Sequence, residues 1–141
     1  MNNLLKPKKT KFKKQQRRNF RKPQINKLTK GHYGLIALEN FWFSSEQVES
    51  CRKTILRYTK RVGNIFFNVF PDKPITKRTE GARMGTGKGS VSYWVMPIRE
   101  KKILIELKNV PKLLAKQALI QVSHKLPVKT EIYEKDWNCF K

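Results

Sequence analysis

Acidic residues are scarce in this chain of 141 residues, which carries 10 Asp and Glu against 32 Lys and Arg and has a formal net charge of +22. The scattered acids offer no carboxylate pair and no metal-ligand cluster, so the sequence predicts neither an enzyme nor a metal site. Such an excess of positive charge predicts a polyanionic partner, most often nucleic acid. An anionic membrane surface is the weaker alternative.

Cysteines are few, and long apolar runs are missing. Cys51 and Cys139 cannot form a disulfide framework or a four-ligand zinc site, and they favour a reducing compartment. No apolar stretch approaches the roughly 20 residues of a membrane-spanning helix, so the sequence predicts no span. The hydrophobic residues, 38% of the chain, still suffice for one folded core.

Positive charge is concentrated at the N-terminus. Residues 1–30 hold 12 of the basic residues, no acid and no sustained apolar period. This composition predicts an extended arm that follows phosphates, with a solubilising tail or an organelle presequence as alternatives. The arm lacks serine and has more Lys than Arg, which argues against a presequence. We therefore expect it to belong to the mature protein.

Residues 31–133 show the short apolar segments of one domain, followed by a tail at 134–141. A first helix is predicted after Ser44, which has capping-box spacing with Gln47, and Gly63 is its natural stop. A second helix is predicted over 111–125, with Pro127 closing it. The expected inner positions of the two helices are Val48, Cys51, Ile55, Tyr58 and Val62, and Leu114, Ala115, Ala118, Leu119 and Val122.

Strands are predicted at 33–38, 65–70, 91–96, 103–107 and around 128–132. Two helices packed on a mainly antiparallel sheet define an α+β class. The connection at 75–90 is long for a compact domain, holds four of the seven glycines and carries Lys77, Arg78, Arg83 and Lys88. We expect this glycine-rich loop to bring backbone N–H groups close to phosphates and to project about 25 Å. A flexible loop without function is the alternative.

Nucleotide-binding and catalytic motifs are not supported. The loop differs from a P-loop because Ala82 stands at the first glycine position and Gly89, not Ser or Thr, follows Lys88. His32 and His124 have no nucleophile and acid at suggestive spacing, so we interpret them as structural or phosphate-facing. The sequence predicts no cofactor and no small-molecule substrate.

Several strings resemble the bacterial and organellar family of large-subunit ribosomal protein sixteen over nearly the whole chain. The strongest lie in order at 69–76 (VFPDKPIT), 83–89 (RMGTGKG) and 93–95 (YWV). Others lie at 5–14 (LKPKKTKFKK), 33–39 and 125–130 (KLPVKT). Thr86 and Asn68 stand where this family usually carries Lys and Arg.

The resemblance implies a structural component of the large ribosomal subunit that binds its rRNA near the peptidyl-transferase centre, contacts A-site tRNA and has neighbouring ribosomal proteins. It implies rRNA contacts for the arm, and the bases of the first helix and Lys73 join that expectation: Lys6, Lys8, Lys9, Lys11, Lys13, Lys14, Arg17, Arg18, Arg52, Arg57, Lys60, Arg61 and Lys73. For the helix, a solvated face is the alternative. The loop residues expected near the tRNA and the active centre are Lys77, Arg78, Arg83, Met84, Gly85, Gly87, Lys88 and Gly89.

The sequence also predicts a compartment and leaves two alternative functions open. Only four residues precede the string at 5–14 that resembles the family, and Lys, Ile, Asn and Phe are abundant, which favours a mitochondrially encoded protein over a plastid or bacterial one. A free-standing tRNA-binding protein or RNA chaperone is the main functional alternative, and an NTP-dependent enzyme is a weaker one.

Overall fold

A computed structural model describes residues 5–17 and 27–135. The elements in chain order are β1 (Tyr33–Ala37), β2 (Phe41–Ser44), α1 (Ser45–Tyr58), β3 (Asn64–Phe67), β4 (Lys73–Lys77), β5 (Ser90–Ile98), β6 (Ile103–Lys108), α2 (Lys112–Ser123) and β7 (Thr130–Glu134). The strands form a four-stranded sheet, in the order β3-β6-β1-β7, and a three-stranded sheet, in the order β2-β5-β4. Every pairing among the described strands is antiparallel, which confirms the α+β class.

Helix α1 begins where the sequence predicts. The Ser44 hydroxyl accepts from the Gln47 backbone N–H at 3.3 Å, and the Gln47 side chain accepts from the Ser44 N–H at 3.0 Å. These two bonds satisfy N–H groups that have no partner inside the helix, which confirms the predicted capping box. The helix ends at Tyr58, before Gly63.

The core lies between the two helices and the two sheets. Val48, Cys51 and Ile55 of α1 are buried in it, as are four of the five predicted inner residues of α2. The exceptions are Tyr58, Val62 and Leu114, which are 38%, 52% and 39% exposed, so their prediction as inner residues is wrong. Thr54 takes an inner position on α1 instead. α1 ends before Val62, so the helical period no longer governs that residue.

Two strands were not predicted, and they change the architecture. β2 supplies Phe43, which is fully buried. β4 covers residues 73–77, so the first residues of the predicted loop are part of a strand. The predicted loop at 75–90 therefore shortens to 78–89, and the strand predicted at 65–70 ends at Phe67. β4 lies at the edge of its sheet, where Pro74 is tolerated because an edge strand needs ladder hydrogen bonds on only one side.

Candidate nucleic-acid interface

The glycine-rich loop, residues 78–89, joins β4 to β5 and lies mostly in solvent. Residues 78–88 are all exposed, and Met84 is 92% exposed. Gly85 and Gly87 have φ values of 90° and 76°, a left-handed conformation that residues with a Cβ adopt at a cost. Between them, the Thr86 hydroxyl donates to the Arg83 carbonyl at 2.6 Å and tightens the turn. Twelve residues reach about 20 Å from the sheet at most, at roughly 3.3 Å per residue each way.

The arm, residues 5–17, lies against the domain without regular secondary structure. Leu5 packs against the hydrophobic core. The predicted basic residues of this segment are all exposed, namely Lys6, Lys8, Lys9, Lys11, Lys13, Lys14 and Arg17. Arg18 lies outside the described residues. The arm therefore presents its charges to solvent while an apolar anchor holds one end on the fold.

The arm and the loop contact each other through two hydrogen bonds that run in opposite directions. The Lys14 ammonium donates to the Lys88 carbonyl at 2.5 Å, and the Lys88 ammonium donates to the Gln15 carbonyl at 2.6 Å. We call these three residues the arm–loop clasp. Residues 73 positions apart in sequence thus hold the C-terminal side of the loop against the arm.

A cleft of about 440 Å³ lies beside the clasp, with Gln15 and Arg17 on one wall and β4 and the loop ends on the others. Arg17, Lys73, Arg78 and Lys88 line this cationic cleft, and none of the described residues that line it is acidic. The Lys73 ammonium lies 4.8 Å from the centre of the Trp42 ring, a cation–π contact that fixes its side chain. The structure therefore brings together bases from three separate parts of the sequence, namely Arg17 of the arm, Lys73, and Arg78 and Lys88 of the loop.

The bases of α1 form a second group. Arg52 makes a bidentate pair with Glu49, with two N–O distances of 3.0 Å. The hydrogen bond from Arg52 is the largest cause that lowers the pKa of Glu49. This pairing partly neutralises Arg52, whereas Arg57 is exposed in the last turn of the helix. Within the described ranges, no hydrogen bond or ion pair links these residues to the cationic cleft.

Lys60 and Arg61 follow α1 in an unusual conformation. Both are exposed, and their φ values of 50° and 66° lie in the left-handed region. A hydrogen bond from the Val62 N–H to the Thr59 carbonyl, 2.8 Å long, closes this turn. Each left-handed residue with a Cβ costs roughly 1–2 kcal/mol, so the fold holds two cationic side chains in a strained turn.

Sequence reasoning missed Glu106, a carboxylate that is 1% exposed in the centre of β6. Its Oε2 accepts from the backbone N–H groups of Lys30 and Gly31 at 2.8 and 2.7 Å, and its Oε1 accepts from the Asn68 amide at 2.6 Å. Burial raises the pKa of Glu106, but these hydrogen bonds outweigh it and hold that pKa below its usual range. The available signal was an isolated acid inside the apolar run 103–107.

Glu106 holds the backbone of Lys30 and Gly31, which lead into β1. Leu28, just before these residues, is 7% exposed and belongs to the buried hydrophobic residues. Residues 28–31 are thus held by an apolar side chain and by hydrogen bonds to a buried charge. His32 lies immediately before β1, and its backbone N–H donates to the Leu107 carbonyl at 2.8 Å. His124 caps the C-terminus of α2.

Sites for other ligands are not supported by the part of the chain that the structure describes. No group of three or more His, Cys, Asp or Glu among residues 5–17 and 27–135 could hold a metal ion. None of the described helices is long and apolar enough to span a membrane. Cys51 is buried in the core, which raises the pKa of its thiol to about 11.

The fold and this surface define a small cationic α+β protein that presents bases from an arm, a loop and a helix end. The profile of the ribosomal protein L16p/L10e family matches residues 7–133. The chain therefore belongs to the ribosomal protein L16p/L10e family.

Individual relatives match over nearly the same length. Large ribosomal subunit protein uL16c of Phaeodactylum tricornutum is 44% identical over 135 residues, 94% of this chain and 98% of the relative. The uL16c protein of Gracilaria tenuistipitata is 46% identical, covering 94% of this chain and 99% of the relative. A bacterial uL16, from Agathobacter rectalis, is 40% identical over 92% of this chain and 90% of the relative. These relatives are structural ribosomal proteins, which confirms the prediction of a non-enzymatic role.

Proposed function

We propose that this protein is a structural constituent of the large ribosomal subunit, that it binds large-subunit rRNA, and that its glycine-rich loop contacts A-site tRNA near the peptidyl-transferase centre. The proposal depends on the arrangement of positive charge on this chain, which belongs to a family of ribosomal proteins. The arm and the cationic cleft present bases that form no ion pair with an acidic side chain among the described residues. The ion pairs of the described chain lie elsewhere, within α1 and between α2 and β7.

Binding to rRNA is supported by exposure and chemistry. Lysine and arginine side chains in solvent neutralise phosphates and release counterions, whereas the shape of the RNA supplies specificity. Arg57, Lys60 and Arg61 extend the basic surface around the end of α1. Arg52 contributes less, because Glu49 already satisfies its guanidinium.

The tRNA contact is supported by the reach of the loop. Its tip, with Arg83 and Met84, projects from the sheet end at which Lys77 pairs with Ser90. Nothing in the described fold packs around Gly85 or Gly87, where an added Cβ would meet no heavy atom within 4 Å. A loop that is exposed along its length is available to a partner outside the chain.

The compartment stays partly a prediction. The relatives above are plastid-type and bacterial proteins, which supports an organellar or bacterial ribosome. A mitochondrial ribosome, as favoured by the sequence, is a narrower proposal. Antibody labelling of fractionated organelles tests it, and exclusive recovery in plastids or in a bacterial cytoplasm would contradict it.

The central experiment separates assembly from tRNA binding. Arg83→Glu combined with Met84→Asp changes only the exposed loop tip, whereas Arg99→Glu changes an exposed base beyond the opposite end of β5 and serves as the control. We expect both variants to sediment with the large subunit at moderate salt, and only the loop variant to weaken A-site tRNA binding. Wild-type protein found mainly as a soluble pool bound to tRNA would contradict the proposal and favour the free-standing alternative.

A further inference from the structure

The cationic cleft gathers charge that the described protein does not neutralise. Arg17 comes from the arm, Lys73 from β4, and Arg78 and Lys88 from the two ends of the loop. The ammonium groups of the clasp donate to neutral carbonyls, and no carboxylate from residues 5–17 or 27–135 lines the cleft. Like charges held close together repel, so an anion in this cleft would relieve the repulsion between the arm and the loop.

We propose that the cleft binds one phosphodiester group of an RNA backbone, and that Arg17 and Arg78 contact this group jointly. This inference rests on the proposed function and names the RNA group that bridges arm and loop. Both arginines are exposed, and neither has a hydrogen bond or an ion pair to another described residue. Their planar guanidinium groups present paired donors suited to the oxygens of a phosphate.

The remaining bases set the geometry of the cleft. Lys73 lines the cleft, is half-buried and is held over the Trp42 ring, so the position of its charge is restricted. Lys88 is held by the Gln15 carbonyl, which places its ammonium at the edge between arm and loop. A single phosphate that contacts Arg17 and Arg78 would therefore fasten the loop base to the arm. RNA bound along the arm would in this way restrict the positions of the loop tip.

The test is a double-substitution cycle read through the salt dependence of RNA binding by the full-length protein. The probes are two in vitro transcripts, large-subunit rRNA and tRNA. Each phosphate contact contributes about 0.7–0.9 to the slope of log affinity against log salt. We expect Arg17→Gln and Arg78→Gln each to lower that slope by about this amount, and the double variant to lower it by no more than either single variant.

A matched pair serves as the control. Lys13 is an exposed arm residue that does not line the cleft, so Lys13→Gln and Arg78→Gln remove separate contacts and their effects on the slope should add. Arg17→Lys and Arg78→Lys retain the charges and should restore most of the lost slope. Circular dichroism verifies that each variant is folded before binding is measured.

The outcomes separate this inference from the proposed function. Non-additivity with rRNA alone identifies the rRNA backbone as the source of the phosphate, and non-additivity with tRNA alone identifies tRNA. Additive effects with both RNAs overturn the shared phosphate, although RNA binding by the wild-type protein would leave the proposed function intact. A wild-type protein that binds neither RNA, even at low salt, overturns the proposed function and this inference with it.

Discussion

Substitution of Glu106 tests whether a buried carboxylate holds the backbone of residues 30 and 31 in front of β1. Glu106→Ala removes the acceptor of three hydrogen bonds, those from the N–H groups of Lys30 and Gly31 and from the Asn68 amide. Each buried donor left without a partner costs about 1–3 kcal/mol, and water entering the space offsets part of the sum. We therefore expect the free energy of unfolding to fall by about 3–5 kcal/mol.

Glu106→Gln is the matched comparison. Its carbonyl oxygen can still accept from both backbone N–H groups, and the Asn68 amide can rotate to accept from the new NH₂ group. The loss of charge should then cost only about 1–2 kcal/mol. Urea denaturation of the full-length protein in high salt measures both variants. If the free energy of unfolding falls by about 2 kcal/mol per molar urea, the urea midpoint of Glu106→Ala should lie about 2 M below that of the wild type.

The pH dependence supplies a further check. The pKa of Glu106 is lowered in the folded protein, so its stabilisation is fully present above the usual carboxyl value of 4.5 and is lost as pH falls through the lowered pKa. The difference in stability between wild type and Glu106→Gln should therefore narrow as pH drops below 4.5. An Ala variant with a midpoint within about 0.5 M of wild type at pH 7 would refute the anchoring role.

Three further predictions concern the clasp, the strained turn and the buried thiol. Lys14→Gln should speed trypsin cleavage after Arg83, measured by mass spectrometry, because it removes one of the two hydrogen bonds that hold the loop to the arm. Rates equal to those of Lys13→Gln would contradict this. Arg61→Gly should raise the free energy of unfolding by about 0.5–1 kcal/mol, since glycine removes left-handed strain but adds chain entropy; an unchanged or lower urea midpoint would count against the strain. In a Cys139→Ser variant, iodoacetamide should alkylate Cys51 only slowly at pH 8, because a pKa of about 11 leaves about 0.1% thiolate; fast labelling of the folded protein would show that the thiol is accessible.

Local patterns in the sequence determined the helices and most strands. The capping box at Ser44 and Gln47 and the spacing of Val48, Cys51 and Ile55 depend on neighbours within four residues, so they are readable without a fold. The same reasoning failed at β4, because Pro74 reads as a strand breaker unless the strand is known to lie at a sheet edge. The short strand β2 has only four residues, too few to show a period.

Composition likewise determined that this protein carries a large surplus of positive charge, in an arm and a glycine-rich loop. Only the tertiary structure decided that Lys14 and Gln15 form hydrogen bonds with Lys88. It likewise decided that Glu106 accepts hydrogen bonds from the backbone N–H groups of Lys30 and Gly31. These partners lie more than 70 positions apart in sequence. Contacts at such separation follow from how the sheets and the arm pack, and no periodicity along the chain records that packing.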